Sequence, residues 1–119
     1  MLKERIRSYC EKGDNCAQII LRAAAEEYDI SLSEELILAC RGIHGGFGIN
    51  GMCSGIVAGV MVLGLLCEEE ELKLKRILFL LRIQNRFDSL DCGRLSALEA
   101  DCVGVLEGIA EILQEVIEK

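Results

Sequence analysis

The sequence predicts an all-α protein, a compact bundle of about six helices with a glycine-rich loop before a buried central helix. Three observations predict it. The 119 residues include no proline and 4% aromatics, while Leu, Ile, Ala and Glu dominate, which is helix-former chemistry. Apolar residues return at the i, i+3, i+4, i+7 spacing in successive segments. The length is that of one domain able to bury a core without disulfide staples, so residues 1–119 are expected to form a single unit.

The first segment, Leu2 to Lys12, sets Leu2, Ile6 and Tyr9 on one face, with Gly13 as its stop. Asp14 is in position to cap a second helix with the stripe Cys16, Ile19, Ile20, Ala23 and Ala24 and a polar end at Glu26 and Glu27. Ser31 stands three residues before Glu34, a capping-box pattern, so a third helix is expected through Leu36, Ile37 and Cys40 to Gly42. The stretch GIHGGFGINGMC then has glycine at 42, 45, 46, 48 and 51, a density that calls for positive φ or close backbone approach.

Met52 to Cys67 is almost wholly apolar but falls short of the roughly 20 residues a membrane span needs. It is expected as the buried central helix, with Gly55, Gly59 and Gly64 letting neighbours approach. The next stretch, EEEELKLKRILFLLRIQNRF, opens with acids suited to a helix N-terminus and offers Glu69–Lys73 and Glu71–Lys75 pairs. Leu78, Phe79, Leu80 and Leu81 surround its axis, the mark of a deep core helix or of a face covered by a second subunit. DSLDCGRLSALEADC is turn-rich, with caps available at Ser89, Ser96 and Asp101. The last helix, Cys102 to about Glu118, repeats Cys102, Leu106, Ile109, Leu113 and Val116 on one face.

A net charge of −7 argues against a phosphate-binding surface, so neither DNA nor RNA is an expected partner. No apolar segment follows the basic residues of the N-terminus, so no secretory signal is read there and a cytoplasmic location is expected. Seven cysteines are many for a protein of a reducing compartment, where thiols more often bind metal, catalyse or fill core than form structural disulfides.

The cysteines sort by position. Cys10, Cys40 and Cys67 fall near predicted helix ends, whereas Cys16, Cys53 and Cys102 come at or just after helix starts, and Cys92 sits in a turn that groups with them. Helix-start N–H groups and the positive end of the helix dipole stabilise a thiolate. Helix starts converging on one end of a bundle would gather donors and sulfurs round a cavity suited to a thiolate-bound metal or cluster, or to a reactive dithiol. No C-x-x-C occurs, which removes zinc-ribbon, ferredoxin and thioredoxin patterns, and no C-x-x-C-H occurs, so covalent haem is not expected. From spacing alone the same thiols are equally well read as small core hydrophobes.

The combination of NCAQ at 15–18, GGFGINGMC leading into CSGIVAGVMVLGL, FDSLDC, and Cys102 before the terminal helix resembles the redox-active proteins called the C_GCAxxG_C_C family. The resemblance runs from about Asn15 to Val116. It implies that the family's four cysteines fall on Cys16, Cys53, Cys92 and Cys102, and that Cys10, Cys40 and Cys67 match no motif position. The motif would place Gly, Ala and Gly at 54, 55 and 58, where this chain has Ser54, Gly55 and Ala58, followed by Gly59. Smallness is kept without identity. The resemblance further implies a helical domain related to part of the split-Soret cytochromes, in which a cluster site accompanies the haems.

Other residues complete the expected site. Asn15 and Gln18 flank Cys16, where either amide can donate to a sulfur or cap the helix, and Gly51 stands in the loop that lets backbone donors near the sulfurs. His44 is the sole histidine and is read as solvent-facing or locally bonded. The leading expectation is an iron–sulfur cluster or other metal on Cys16, Cys53, Cys92 and Cys102, for electron transfer or redox sensing with a redox partner protein or small thiol. Beside it stand a thiol–disulfide oxidoreductase using two of those cysteines, and a non-catalytic interaction module forming a homodimer through Met52–Cys67 and Ile77–Phe87.

Overall fold

The computed structural model describes residues 2–98 and 103–119. Its α-helices are α1 (Leu2–Cys10), α2 (Cys16–Tyr28), α3 (Glu34–Ala39), α4 (Ser54–Leu66), α5 (Glu69–Phe87), α6 (Cys92–Ser96) and α7 (Val103–Ile117). The fold is all-α as expected, and the short α6 is the addition, formed inside what reads as a run of turns.

Two caps differ from expectation by register. Asn15, not Asp14, caps α2: its side chain accepts from Gln18 N at 3.0 Å while Gln18 Oε1 accepts from Asn15 N at 2.9 Å. This reciprocal box needs a Gln or Glu three residues after the cap, which Asn15 has. Asp14 instead pairs with Arg22 at 2.7 Å. On α3 the cap is Ser33, whose Oγ accepts from Leu36 N at 3.0 Å, and not Ser31. A 3₁₀ turn over Cys40–Ile43 carries the chain on from α3. Ser89 Oγ accepts from Asp91 N at 3.0 Å and Ser96 Oγ donates to Gly93 O at 3.3 Å, so Ser96 closes α6 instead of capping a start. Asp101 lies outside the described residues.

The apolar character of α4 as far as Leu63 is explained by its place against α2, α5 and α7, whereas Leu65 and Leu66, expected to be buried, are exposed at its end. Ile56, Ala58, Val62 and Leu63 are fully buried. A Cβ on Gly59 would stand 2.5 Å from Phe79 Cζ, and one on Gly55 would stand 2.9 Å from Leu106 Cδ2, so these two glycines set how closely α5 and α7 approach. Gly64 faces open space and has no such role. On α7, Leu106, Ile109, Leu113 and Val116 are buried together, matching the expected stripe. Buried Gln114 accepts from Leu2 N at 2.7 Å and so satisfies a donor at the start of α1. α1 lies across α7 and α2, and Arg5 bonds both Glu26 and Glu27 of α2.

α5 is not the deep core helix that its sequence suggests. Only Phe79 and Ile83 are buried, while Leu74, Ile77 and Leu81 are 75%, 55% and 57% exposed. Its neighbours α4 and α7 cover one side, and its apolar residues extend beyond that side. The Glu71–Lys75 pair forms at 3.4 Å, whereas Lys73 turns to Glu70 at 3.5 Å instead of Glu69. No described helix is long and apolar enough to cross a membrane.

Candidate functional site

The glycine-rich loop is a device for aligning two cysteines. Gly45, Gly46 and Gly48 take positive φ, and Phe47 and Asn50 join them at 64° and 58°. A Cβ on Gly46 would lie 2.4 Å from Gly51 N, so the turn closed by the 2.9 Å bond from Gly51 N to Gly46 O requires glycine there. Beyond the turn the chain runs beside residues 90–92. Cys92 N donates to Gly51 O at 2.7 Å and Cys53 N to Leu90 O at 2.9 Å, on either side of an antiparallel bridge between Met52 and Asp91.

That clasp fixes where the sulfurs go. Side chains alternate across a strand pair, so Cys53 and Cys92, each one residue from the bridge, leave it on the same side. They are diagonal neighbours across the bridge. The pair therefore faces one space, and both are free thiols.

Cys16 reaches the same space from another element. It is the first residue of α2, held by the Asn15–Gln18 box, whose remaining amide donors go to Cys40 O at 3.3 Å and Ile37 O at 2.9 Å. Asn15 and Gln18 thus fix the start of α2 against the α3 region, and the hydrogen bonds described for them are capping and tethering bonds. Cys16, Cys53 and Cys92 all line one cavity of about 240 Å³, together with His44 and the apolar wall of Leu95, Val105 and Leu106. Cys53 is the N-cap of α4 and Cys92 the first residue of α6, so each of the three sulfurs begins a helix.

Cys102 lies outside the described residues; α7 begins at the next position, Val103, and its Val105 and Leu106 line the cavity. Among the described residues no three His, Cys, Asp or Glu side chains form a group that could hold a metal ion. The cavity is many times the ~10–15 Å³ that admits one water.

The remaining cysteines divide. Cys40 is buried, donates to Leu36 O at 3.4 Å, and burial pushes its thiol pKa up. Burial first, and then the Glu71 carboxylate, push Cys67 up as well. Both stay protonated thiols at neutral pH. Cys10 differs from them, because it lines a second, outer cavity of about 440 Å³ that shares Cys16, His44 and Leu106 with the first.

A family model described as "Putative redox-active protein (C_GCAxxG_C_C)" matches residues 14–116. The chain belongs to that family. Neither a curated protein nor a solved structure matches it. Within this C_GCAxxG_C_C protein the small residues after Cys53 have separate duties: Gly55 admits Leu106 and Gly59 admits the Phe79 ring, while Ser54 and Ala58 are buried beside them. The shift from the motif's glycine positions thus leaves a glycine at each of these two close approaches.

The sequence reading places neither His44 nor Cys10 in the site. His44 is exposed yet borders both cavities. Its signal is its place directly before the glycine turn that aligns Cys53. For Cys10 the signal is proximity in sequence to Cys16 across a single turn between helices.

Proposed function

We propose that this C_GCAxxG_C_C protein is a redox protein in which Cys16, Cys53, Cys92 and Cys102 hold an iron–sulfur cluster for electron transfer or redox sensing. The observation that carries the reading is the presence of Cys16, Cys53 and Cys92, from three separate helix starts, on the wall of one largely apolar cavity. Clusters are held by cysteine thiolates distributed over several irons. Such a group suits sulfurs that share a cavity without being grouped tightly enough for a single ion. A bound cluster would supply a one-electron centre. The helix starts offset its negative charge, Gly51 and the glycine turn hold Cys53 and Cys92 in register, Asn15 and Gln18 position Cys16, and the Leu95, Val105 and Leu106 wall limits water.

Purification without oxygen followed by iron and sulfide analysis and a visible spectrum tests this. Coloured protein with iron and sulfide is expected, with iron lowered by Cys→Ser changes at 16, 53, 92 and 102 and unchanged at Cys40 and Cys67. Protein that stays colourless and iron-free after reconstitution overturns the cluster; reversible oxidation of two of the four cysteines would then assign dithiol chemistry. The same proposal takes the electron partner as a protein or small thiol and the location as cytoplasmic, where the cysteines stay reduced. It also takes a second copy to cover the Leu74–Ile77–Leu81 stripe, because these three exposed apolar residues share one side of α5, away from Phe79 and Ile83. Light scattering on wild type and Ile77→Glu tests that assembly, with a dimer expected only for the wild type.

A further inference from the structure

We infer that the outer cavity is a thiol–disulfide exchange site in which Cys10 and Cys16 together reduce a low-molecular-weight disulfide. Cys10 belongs to no family motif position, yet it shares a cavity with the motif cysteine Cys16. Cys40 and Cys67 stand elsewhere. The cavity, about 440 Å³, opens to solvent, and its rim carries Glu11 together with Arg7 and Asp14, whose surface ion pairs with Glu107 and Arg22 are weak enough to yield to a ligand bearing both ammonium and carboxylate charges. Cys10 ends α1 and Cys16 begins α2, the turn between them contains Gly13 at φ +82° with open space about it, and both cysteines line this cavity. Both cysteines are partly exposed.

The chemistry balances with the small disulfide as oxidant. The Cys16 thiolate, at the start of α2, attacks one sulfur of the small disulfide, forming a mixed disulfide and releasing the first small thiolate. The Cys10 thiolate attacks the Cys16 sulfur of that mixed disulfide, releasing the second small thiolate and leaving a Cys10–Cys16 bond. Two electrons pass from the protein dithiol to the small disulfide, and the two protons lost by Cys10 and Cys16 end on the two small thiols. The exchange goes beyond the cluster reading, because it needs no bound metal. Once formed, the bond withdraws Cys16 from the inner cavity.

The sequence makes the test direct. Trypsin cuts after Arg7, Lys12 and Arg22, so Cys10 and Cys16 fall on separate peptides, 8–12 and 13–22. The full chain, reduced, freed of small thiols under argon and with its iron content recorded, is treated with oxidised glutathione and digested without reductant. Joined 8–12 and 13–22 peptides are expected, with any iron held through Cys16 released as the pair forms; protein that holds no iron gives the same pair, which separates this outcome from the fate of the cluster. Cys10→Ser should abolish the joined pair and leave glutathione on Cys16, Cys16→Ser should leave it on Cys10, and Cys67→Ser should leave the joined pair intact. Recovery of Cys16 joined to a peptide bearing Cys53, Cys92 or Cys102, or of both Cys10 and Cys16 as separate thiols or separate glutathione adducts, overturns the inference.

Discussion

The backbone of Gly51 decides what position 46 tolerates. Gly46 and Gly48 both lie in the left-handed region, at φ +61° and +79°, but a Cβ on Gly46 meets Gly51 N at 2.4 Å whereas one on Gly48 meets open space. Gly48→Ala should therefore cost only the left-handed penalty of ~1–2 kcal/mol. Gly46→Ala adds a collision with backbone that has no rotamer to escape through, so a loss nearer ~3 kcal/mol is expected, read as a lower urea midpoint. The bond from Cys92 N to Gly51 O should weaken in the same variant, since Gly51 is the residue displaced. Cys67 offers a test by charge. Its thiol is raised first by burial and next by its hydrogen bond and repulsion with Glu71, so Glu71→Gln lowers the pKa and enlarges the thiolate fraction at any pH below it. Faster alkylation of Cys67 at pH 8 is the expected outcome, with Cys40, held up by burial alone, unchanged.

Whether an element was legible in the sequence depends on whether one face or several faces carried its apolar residues. α7 was legible because Leu106, Ile109, Leu113 and Val116 form a single buried stripe, and α4 because a sixteen-residue apolar stretch has few other places to go. α5 was not, because Leu74, Ile77, Phe79, Leu81 and Ile83 point round the whole axis, and only packing selects which are covered. Fully buried Phe79, seated on Gly59, should cost ~3–5 kcal/mol when changed to Ala. Ile77→Glu should change the stability of the monomer by under ~0.5 kcal/mol, measured at a protein concentration low enough to exclude association. The caps show the same limit at finer grain: Asp14 beside Asn15 and Ser31 beside Ser33 are chemically alike, and one residue of register separates a cap from an ion pair. Cys16 and Cys53 were readable as helix-start residues from local cap and glycine signals, whereas Cys92 reads as a turn residue and proves to begin the short α6. The Met52–Asp91 bridge was not readable, since a pairing of one residue with one leaves no alternating pattern to read.

At the scale of the whole molecule, the packing of α2, α4 and α7 places two cavities side by side with Cys16, His44 and Leu106 common to both walls. Residue 106 is where α7 meets α4, with Leu106 Cδ2 in the space that Gly55 leaves open. Its side chain is therefore both a core contact and part of the partition between the solvent-facing cavity and the one that holds Cys53. Cys53 is itself only 6% exposed, so reagents should reach it slowly in the folded protein. Leu106→Ala removes the apolar part of the partition and should cost ~2–5 kcal/mol, as for other buried leucines. Leu113→Ala, on the same helix but bordering neither cavity, should cost a similar amount. Under conditions where both variants remain folded, labelling of Cys53 by a small thiol reagent should accelerate at least tenfold more in Leu106→Ala than in Leu113→Ala. Equal acceleration in the two would show that the reagent enters through general loosening of the bundle, and that Leu106 does not partition the cavities.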